Sequence, residues 1–439
     1  MQTIKAATTN KDLTSFGGLL NFDHLMTKLG LEGALSPILP SRNGWDKAKH
    51  FFHSFFAGAE CLDDIEVLGR DAGLCRVLGG STYHPKSLGN FLRAFSGEQL
   101  RRMNLALCRL AILLRGLLEK RPEQIIIDID STTNSQHGSK MEGLGWNYNN
   151  RFGFDTIAAF DELGLLYWLD VRPGGTDTAK DCELIIHAVA KRIRERWPEV
   201  KIIFRADAGY CQKSFIQACR ARNVDFILRA TANMFAPMVD RSTIKWREAK
   251  DDVGFNDGRE TELGATFHAY KEFPGINTMI LMRALKTETT HLINSSENYD
   301  HYGFITSLGD VFGSWESRII LYRDRGHAEN YIKDLKYSLD LLHYPCLKLS
   351  ANKAYGLLAG ISYNLLRFAG IKLARRRNGK IPYIKKVRTL LVNIPAVVVS
   401  HARTVCFKFM STHAREVVYW NENLHIAQSD KSKTFPDGG

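Results

Sequence analysis

At 439 residues and 44% hydrophobic composition, the chain has material for two or three domains with cores of their own. Its formal net charge of +12 is concentrated toward the carboxy-terminal end and points to an anionic partner. The chain opens without a leader pattern, holds no run of eighteen apolar residues, and scatters its eight cysteines without a Cys-x-x-Cys pair; the expectation is a cytosolic chain with reduced thiols, which excludes a membrane span, a zinc ribbon and a disulfide framework.

Residues 1–120 are predicted to be mostly helical and to form a domain of their own. Leu62–Leu68 and Leu105–Leu118 carry apolar residues at helical spacing, and Gly79, Gly80 and Pro85 punctuate the region. Lys86–Phe95 followed by Ser96–Arg102 reads as helix, turn, helix, with Arg93, Arg101, Arg102 and Arg109 as basic faces. Any helical hairpin shares that pattern.

The pattern changes at Pro122. Gln124–Asp130 is a β-branched run predicted as a buried strand, with Asp128 and Asp130 on one face and Ile125, Ile127 and Ile129 on the other. Two carboxylates in a buried strand are costly unless paired, hydrogen-bonded or bound to metal, and either could be a ligand. Phe154–Phe160 and Leu165–Val171 form a predicted hairpin across Asp161–Gly164. A helix over Thr178–Trp197 follows, then a strand over Val200–Ala206 that ends at Asp207. Next come a helix near Gln212–Arg222 and a strand over Val224–Arg229. This order predicts a mixed sheet with helices on its faces, in which acids on the first and fourth strands converge at one edge. The alternative reading of Asp207 is a cap on the helix that follows. The domain plan is a catalytic core in two parts, 121–230 and 316–375, interrupted by a strand-rich insertion over 231–315 with turns at Gly254, Gly258, Gly264 and Pro274.

Tyr322–Lys336 reads as one helix on which Tyr322, Arg325, Glu329, Lys333 and Lys336 form a single stripe; Ile332, Leu335 and Leu339 form a separate apolar one. A carboxylate flanked by cations and a phenol suits a metal-holding acid beside a phosphodiester. A solvated face with i,i+4 ion pairs has the same spacing. Beyond it, Leu341–Arg415 contains no Asp or Glu and 14 of the 59 basic residues, so the rest of the chain holds 45 basic against 47 acidic residues. The densest part, Lys372–Arg388, includes Arg375, Arg376, Arg377, Lys385 and Lys386 and runs into a basic region over 376–439 that ends in a polar tail after Gln428. A phosphate backbone is the expected partner; a solvated surface and anionic lipid are the alternatives. His137, His187 and His327 belong to no zinc-like constellation and are expected to be structural or solvent-facing.

These residues resemble a known family, the bacterial insertion-sequence transposases with an Asp-Asp-Glu triad on a ribonuclease-H-like fold. The resemblance is carried by Asp130-Ser-Thr-Thr133, by Arg205-Ala-Asp-Ala-Gly-Tyr210, and by Tyr322, Arg325 and Glu329 with Lys336 seven further on. The last set is similar to the Tyr-Arg-Glu-Lys signature of the cut-and-paste branch, where a strand-rich insertion before the glutamate is also typical. Leu13–Gly18, Asp63–Asp71, Lys86-Ser-Leu-x-x-Phe91 and Leu169-x-x-Arg172-Pro-Gly-Gly175 are similar to the insertion-sequence group numbered thirteen-eighty. Trp146–Asp155 departs from the relatives' more basic pattern and takes no role from them.

The resemblance implies an α/β, ribonuclease-H-like mixed sheet with helices on both faces, a strand-rich insertion and a helical amino-terminal domain. It implies Asp130, Asp207 and Glu329 as catalytic residues and metal ligands, and it favours Asp130 over Asp128. Two Mg²⁺ ions, with Mn²⁺ able to substitute, suit hard carboxylate oxygens. Tyr322, Arg325, Lys333 and Lys336, with Arg375, Arg376, Arg377, Lys385 and Lys386, would contact DNA. The expected partners are double-stranded DNA, as terminal inverted repeats and target, and a second copy of the chain on that DNA. The expected setting is the bacterial cytoplasm, at the nucleoid. The reaction would be strand hydrolysis at the element's end, then attack on target DNA by the freed 3′-hydroxyl. Whether a hairpin and a flipped base intervene stays open; Tyr302, Phe304 and Trp315 are candidate stacking partners, although aromatics at strand spacing also build cores. Competing readings are a ribonuclease-H-like nuclease without strand transfer, an inactive transposase-derived DNA-binding protein, and a membrane-surface protein whose lipid binding would ignore Glu329.

Overall fold

The structure is a computed structural model, and it describes residues 11–136, 139–147, 150–241, 244–250, 253–255, 257–268, 275–287, 298–401 and 404–413. His137 and the tail after Gln428 lie outside these residues. The described residues open with β1 (Leu13–Thr14) and seven helices: α1 (Leu19–Lys28), α2 (Leu31–Leu35), α3 (Gly44–Ala57), α4 (Asp64–Leu68), α5 (Ala72–Val77), α6 (Pro85–Arg93) and α7 (Gly97–Leu118). Helix α6 starts with a proline at its first turn, where a missing N–H costs nothing. Helix α7 starts at a capping box: the Ser96 hydroxyl accepts from the Gln99 N–H and the Gln99 side chain accepts from the Ser96 N–H.

The central part comprises β2 (Gln124–Ser135), β3 (Gly145–Trp146), β4 (Phe152–Asp161), β5 (Leu166–Arg172), α8 (Cys182–Arg196), β6 (Lys201–Ala206), α9 (Lys213–Ala221) and β7 (Asp225–Arg229). Residues 231–315 begin with a helix, α10 (Ala232–Arg241), before β8 (Arg247–Glu248), β9 (Glu262–His268), β10 (Asn277–Leu285) and β11 (Tyr299–Thr306). Then follow α11 (Trp315–Arg323), α12 (Gly326–Ser338), α13 (Leu349–Arg377), α14 (Ile384–Leu391), β12 (Ala396–His401) and β13 (Thr404–Phe409).

Ten strands form one mixed sheet in the order β3-β4-β2-β6-β7-β11-β10-β9-β8, with β5 also paired to β4. Strand β2 runs antiparallel to β4 and parallel to β6, and β6 runs parallel to β7. Strand β11 returns from the 231–315 segment to pair antiparallel with β7, so that segment extends the sheet. β12, β13 and β1 make a separate three-stranded sheet.

Register decides which side chains share a face, because alternate residues of a strand point the same way. Asp128 pairs with Arg205, and Arg205 with Ile227. One face therefore carries Ile126, Asp128 and Asp130 of β2, Ile203 and Arg205 of β6, and Ile227 and Arg229 of β7. There Ile126, Ile203 and Ile227 pack with Leu308 and with Leu321 of α11. Ile125, Ile127 and Ile129 belong to the main core, which also takes in Phe22, Phe51, Phe55 and Phe91 of the amino-terminal helices. Helix α13 runs through the middle of that core, and residues 354–371 are buried without exception.

One expectation is corrected here. Tyr322–Lys336 is two helices, not one: α11 stops at Arg323 and α12 starts at Gly326. In a continuous helix the Arg325 N–H would donate to the Leu321 carbonyl. Instead it donates to the Tyr322 carbonyl at 3.0 Å, and the Leu321 carbonyl accepts from the Arg205 guanidinium. A buried cation at the carboxyl end of α11 satisfies an orphan carbonyl and complements the helix dipole.

Candidate active site

Asp130 lies near the middle of β2 with its side chain 14% exposed. One carboxylate oxygen accepts from the Ser131 N–H at 2.8 Å and the other from Arg325 Nη1 at 3.1 Å. Burial pushes its carboxyl up to about 6; Arg325 opposes that rise and the neighbouring Asp207 adds to it. Asp207 follows β6 directly and its carboxylate accepts from the Gly209 N–H at 2.9 Å. The capping role open to it in the sequence is thus realised on the short turn over Ala208–Tyr210, not on α9.

Arg325 stands at the α11–α12 junction, its side chain also 14% exposed. Burial works against its charge, but Asp130, Tyr322 and Asp207 outweigh burial and hold it firmly protonated. Its Nη2 is 3.9 Å from the Glu329 carboxylate, one helical turn along α12, and the Glu329 side chain is 56% exposed. Arg325 therefore sits between Glu329 and the Asp130–Asp207 pair. Among the described residues, no three His, Cys, Asp or Glu side chains are grouped closely enough to hold a metal ion.

Tyr322 closes the site on its other flank. Its ring packs 5.0 Å from that of Phe304, and burial raises its phenol. Lys336, nearly three turns along α12 from the junction, donates to Thr132 Oγ1 at 3.1 Å and to the Thr133 carbonyl at 2.9 Å, which ties α12 to β2. Burial, and then the nearby Arg151, lower its ammonium. Lys333 is exposed on the same helix, while Ile332, Leu335 and Leu339 are buried as their stripe predicts.

Asp128 points the same way as Asp130 but meets a different fate. It is 1% exposed, and both its oxygens are taken by the Arg205 fork, Nε at 2.6 Å and Nη2 at 2.6 Å. This buried pair is the main feature that reading along the chain missed. The available signal was positional: each member stands two residues before one of the paired acids.

An open cleft of about 1010 Å³ adjoins the site, between the β10–β11 part of the sheet and the α11–α12 junction. Arg229, Arg259, Arg323 and Arg325 line it with Tyr302 and Tyr322. Arg229 stacks 4.6 Å from the centre of the Tyr302 ring, and Trp315 is covered by Arg247 at 4.7 Å.

The acid-free tract divides by burial. Lys385 and Lys386 are exposed on α14, and Arg376 and Arg377 at the end of α13. Arg375 is exposed but donates to the Leu118 carbonyl at 2.7 Å. Arg367 and Arg388 are buried: Arg367 donates to the Leu163 carbonyl, and Arg388 to the carbonyls of Phe55 and Ser338. His187 lies 3.5 Å from Glu183 and accepts from Arg222, and His327 is exposed. Among the described residues, no helix is long and apolar enough to cross a membrane.

Three comparisons bear on this geometry. A family model described as transposase DDE domain group 1 matches residues 1–431. No curated protein matches the chain. Among solved structures, a piggyBac transposase synaptic complex with hairpin DNA is similar at a TM-score of 0.44 and 11% identity, over 87% of this chain and 82% of that one.

Proposed function

The chain belongs to the transposase DDE domain group 1 family, and from that membership we propose that it is the cut-and-paste transposase of an insertion sequence, with Asp130, Asp207 and Glu329 as its triad. The observation that carries the residue assignment is the convergence of Asp130 and Asp207 on one sheet face beneath the junction that bears Arg325 and Glu329. The core over 121–230 and 316–375 is read as ribonuclease-H-like, 231–315 as its insertion, and the helices of 1–120 as a DNA-binding domain. The Tyr322, Arg325, Glu329 and Lys336 set supports the Tyr-Arg-Glu-Lys branch and the thirteen-eighty-like group.

Asp130 and Asp207 offer a divalent cation two carboxylates, and Glu329, 56% exposed beside Arg325, would have to turn inward to make a third. Asp130 and Asp207 repel one another across a buried site, and the Arg325 guanidinium now supplies the positive charge they need. Hard carboxylate oxygens of this kind suit Mg²⁺ or Mn²⁺, with Glu329 turning inward to join the set. A cation held by these three would compensate charge on the reacting phosphodiester and favour ionisation of its nucleophile.

The chain's own side chains do the rest. Arg325 offers a planar fork that can leave Asp130 for a phosphate, and Lys336 a point charge beside Thr132 and Thr133. Tyr322 offers a hydroxyl from the cleft's lining. Lys333, Arg375, Arg376, Arg377, Lys385 and Lys386 are read as contacts to the flanking duplex. Two chains paired on the two inverted repeats, acting at the bacterial nucleoid, complete the reading.

The test is cleavage of DNA carrying the element's ends, in Mg²⁺ and in Mn²⁺, by the intact chain and by Glu329→Gln. Nicks at the repeat boundary that depend on metal, vanish in Glu329→Gln and proceed to joining with a target plasmid are the expected result. Cleavage without joining would leave a nuclease. Specific binding without cleavage would leave a DNA-binding relic, and cleavage indifferent to Glu329→Gln would remove Glu329 from the triad.

A further inference from the structure

The buried Asp128–Arg205 fork reaches three chain segments at the site. Asp128 is two residues before Asp130 on β2, and Arg205 is two residues before Asp207 at the end of β6; the two are register partners across the parallel pair. The remaining nitrogen of the guanidinium donates to the carbonyl of Leu321, one residue before Tyr322 and four before Arg325. Arg205 is 2% exposed and Asp128 1%, and Leu321 packs on Ile126, Ile203 and Ile227 of the same face. One side chain thus joins β2, β6 and the end of α11.

We infer that Asp128 and Arg205 are positioning residues, a three-way tether that sets the α11–α12 junction in register with the paired acids. The chemical argument is geometric. A guanidinium spends two parallel N–H groups on one carboxylate and still has donors facing elsewhere. Lysine has no such fork. By holding the Leu321 carbonyl that the Arg325 N–H has left for Tyr322, Arg205 caps the end of α11 and fixes the turn into α12 in which Arg325 faces Asp130. The tether itself stands on contacts alone; its catalytic consequence rests on the triad proposed above.

The experiment compares the full-length chain with the double variant Asp128→Leu/Arg205→Met and with Arg205→Lys. Four properties are measured: melting temperature, amide hydrogen exchange over 321–328, Mn²⁺ binding by electron paramagnetic resonance, and single-turnover DNA cleavage alongside DNA affinity. Replacing a buried ion pair by apolar residues of similar volume is often neutral or stabilising, so the double variant should melt near the wild-type temperature. Exchange over 321–328 should rise at least about tenfold, and cleavage should fall by about a hundredfold with DNA affinity unchanged, as a misplacement near 1 Å would cause. Mn²⁺ binding should weaken in step. Should the double variant fail to fold, Arg205→Lys carries the same expectations. Unchanged exchange over 321–328 with cleavage within about twofold of wild type overturns the tether. Raised exchange in a protein whose wild type neither binds Mn²⁺ nor cuts DNA upholds the tether and overturns the triad.

Discussion

Two aspartates two residues apart on one strand face play different parts because of what lies opposite them. Asp128 meets the Arg205 fork, whereas Asp130 meets Arg325, which its own helix junction leaves on the site's rim. Alternation along β2 made their shared direction legible in the sequence, but not the partner each would meet, since Arg205 lies 77 residues away. Replacing Arg325 with lysine keeps the charge and loses the fork. Single-turnover cleavage should fall about tenfold or more in Arg325→Lys, with the melting temperature within a few degrees of wild type. A buried histidine far from the site predicts a pH effect on stability. His53 is fully buried, donates to the Lys49 carbonyl, and has its imidazole pushed down to about 4 by burial. Its folded value lies below the ordinary 6.5, so between those values the unfolded chain takes up a proton that the folded chain refuses. Stability should therefore be lost as pH falls from 6.5 toward 4, by roughly 3 kcal/mol at most. The drop in melting temperature between pH 7 and pH 4.5 should shrink in His53→Phe. An undiminished drop would assign it to the carboxylates instead.

At the scale of elements, the sequence was most legible where local chemistry decides. The helix that starts in the Ser96–Arg102 stretch and the hairpin across Asp161–Gly164 appear where the pattern puts them. What it could not disclose is how β5, paired only to β4 among the described residues, is kept from being an open edge. Two helix-borne amides do this. Asn104 of α7 and Asn364 of α13 each exchange two hydrogen bonds with the backbone of β5, at Leu169 and at Leu166. Asparagine in a helix normally signals a weak position; only the packed structure shows it acting as a strand's partner. Asn364→Ala would orphan one buried N–H and one buried carbonyl, at roughly 1–3 kcal/mol each, and urea unfolding should show a loss of roughly 2–6 kcal/mol. The Arg172-Pro-Gly-Gly175 motif has an equally local reason. Any side chain at Gly174 would collide with the backbone oxygens of Gly153 and Gly145, only 2.2 and 2.4 Å from where its first carbon would sit.

For the molecule as a whole, charge and burial separate what composition merged. The basic tract was legible as a footprint, yet part of it serves the fold. Burial pushes the Arg388 guanidinium down to about 10, and the side chain ties α14 to the end of α3 and to Ser338. Arg388→Ala should lower the melting temperature sharply. Lys385→Gln with Lys386→Gln should leave it alone and instead flatten the salt dependence of DNA binding, by about 0.9 in logarithmic slope for each phosphate no longer neutralised. Equal effects on melting from both changes would contradict this division. The position of α13 has a further consequence, in time rather than space. A ribosome that has completed all three acid-bearing segments, through Glu329, has yet to make the helix against which α3, α6, α7 and β5 pack. Until residue 371 emerges, those apolar faces have nothing to close on. A chain cut short before α13 by a frameshift or a stalled ribosome would carry all three carboxylates of the proposed triad and lack the helix on which the core closes, so any cleavage of DNA would wait on the synthesis of α13.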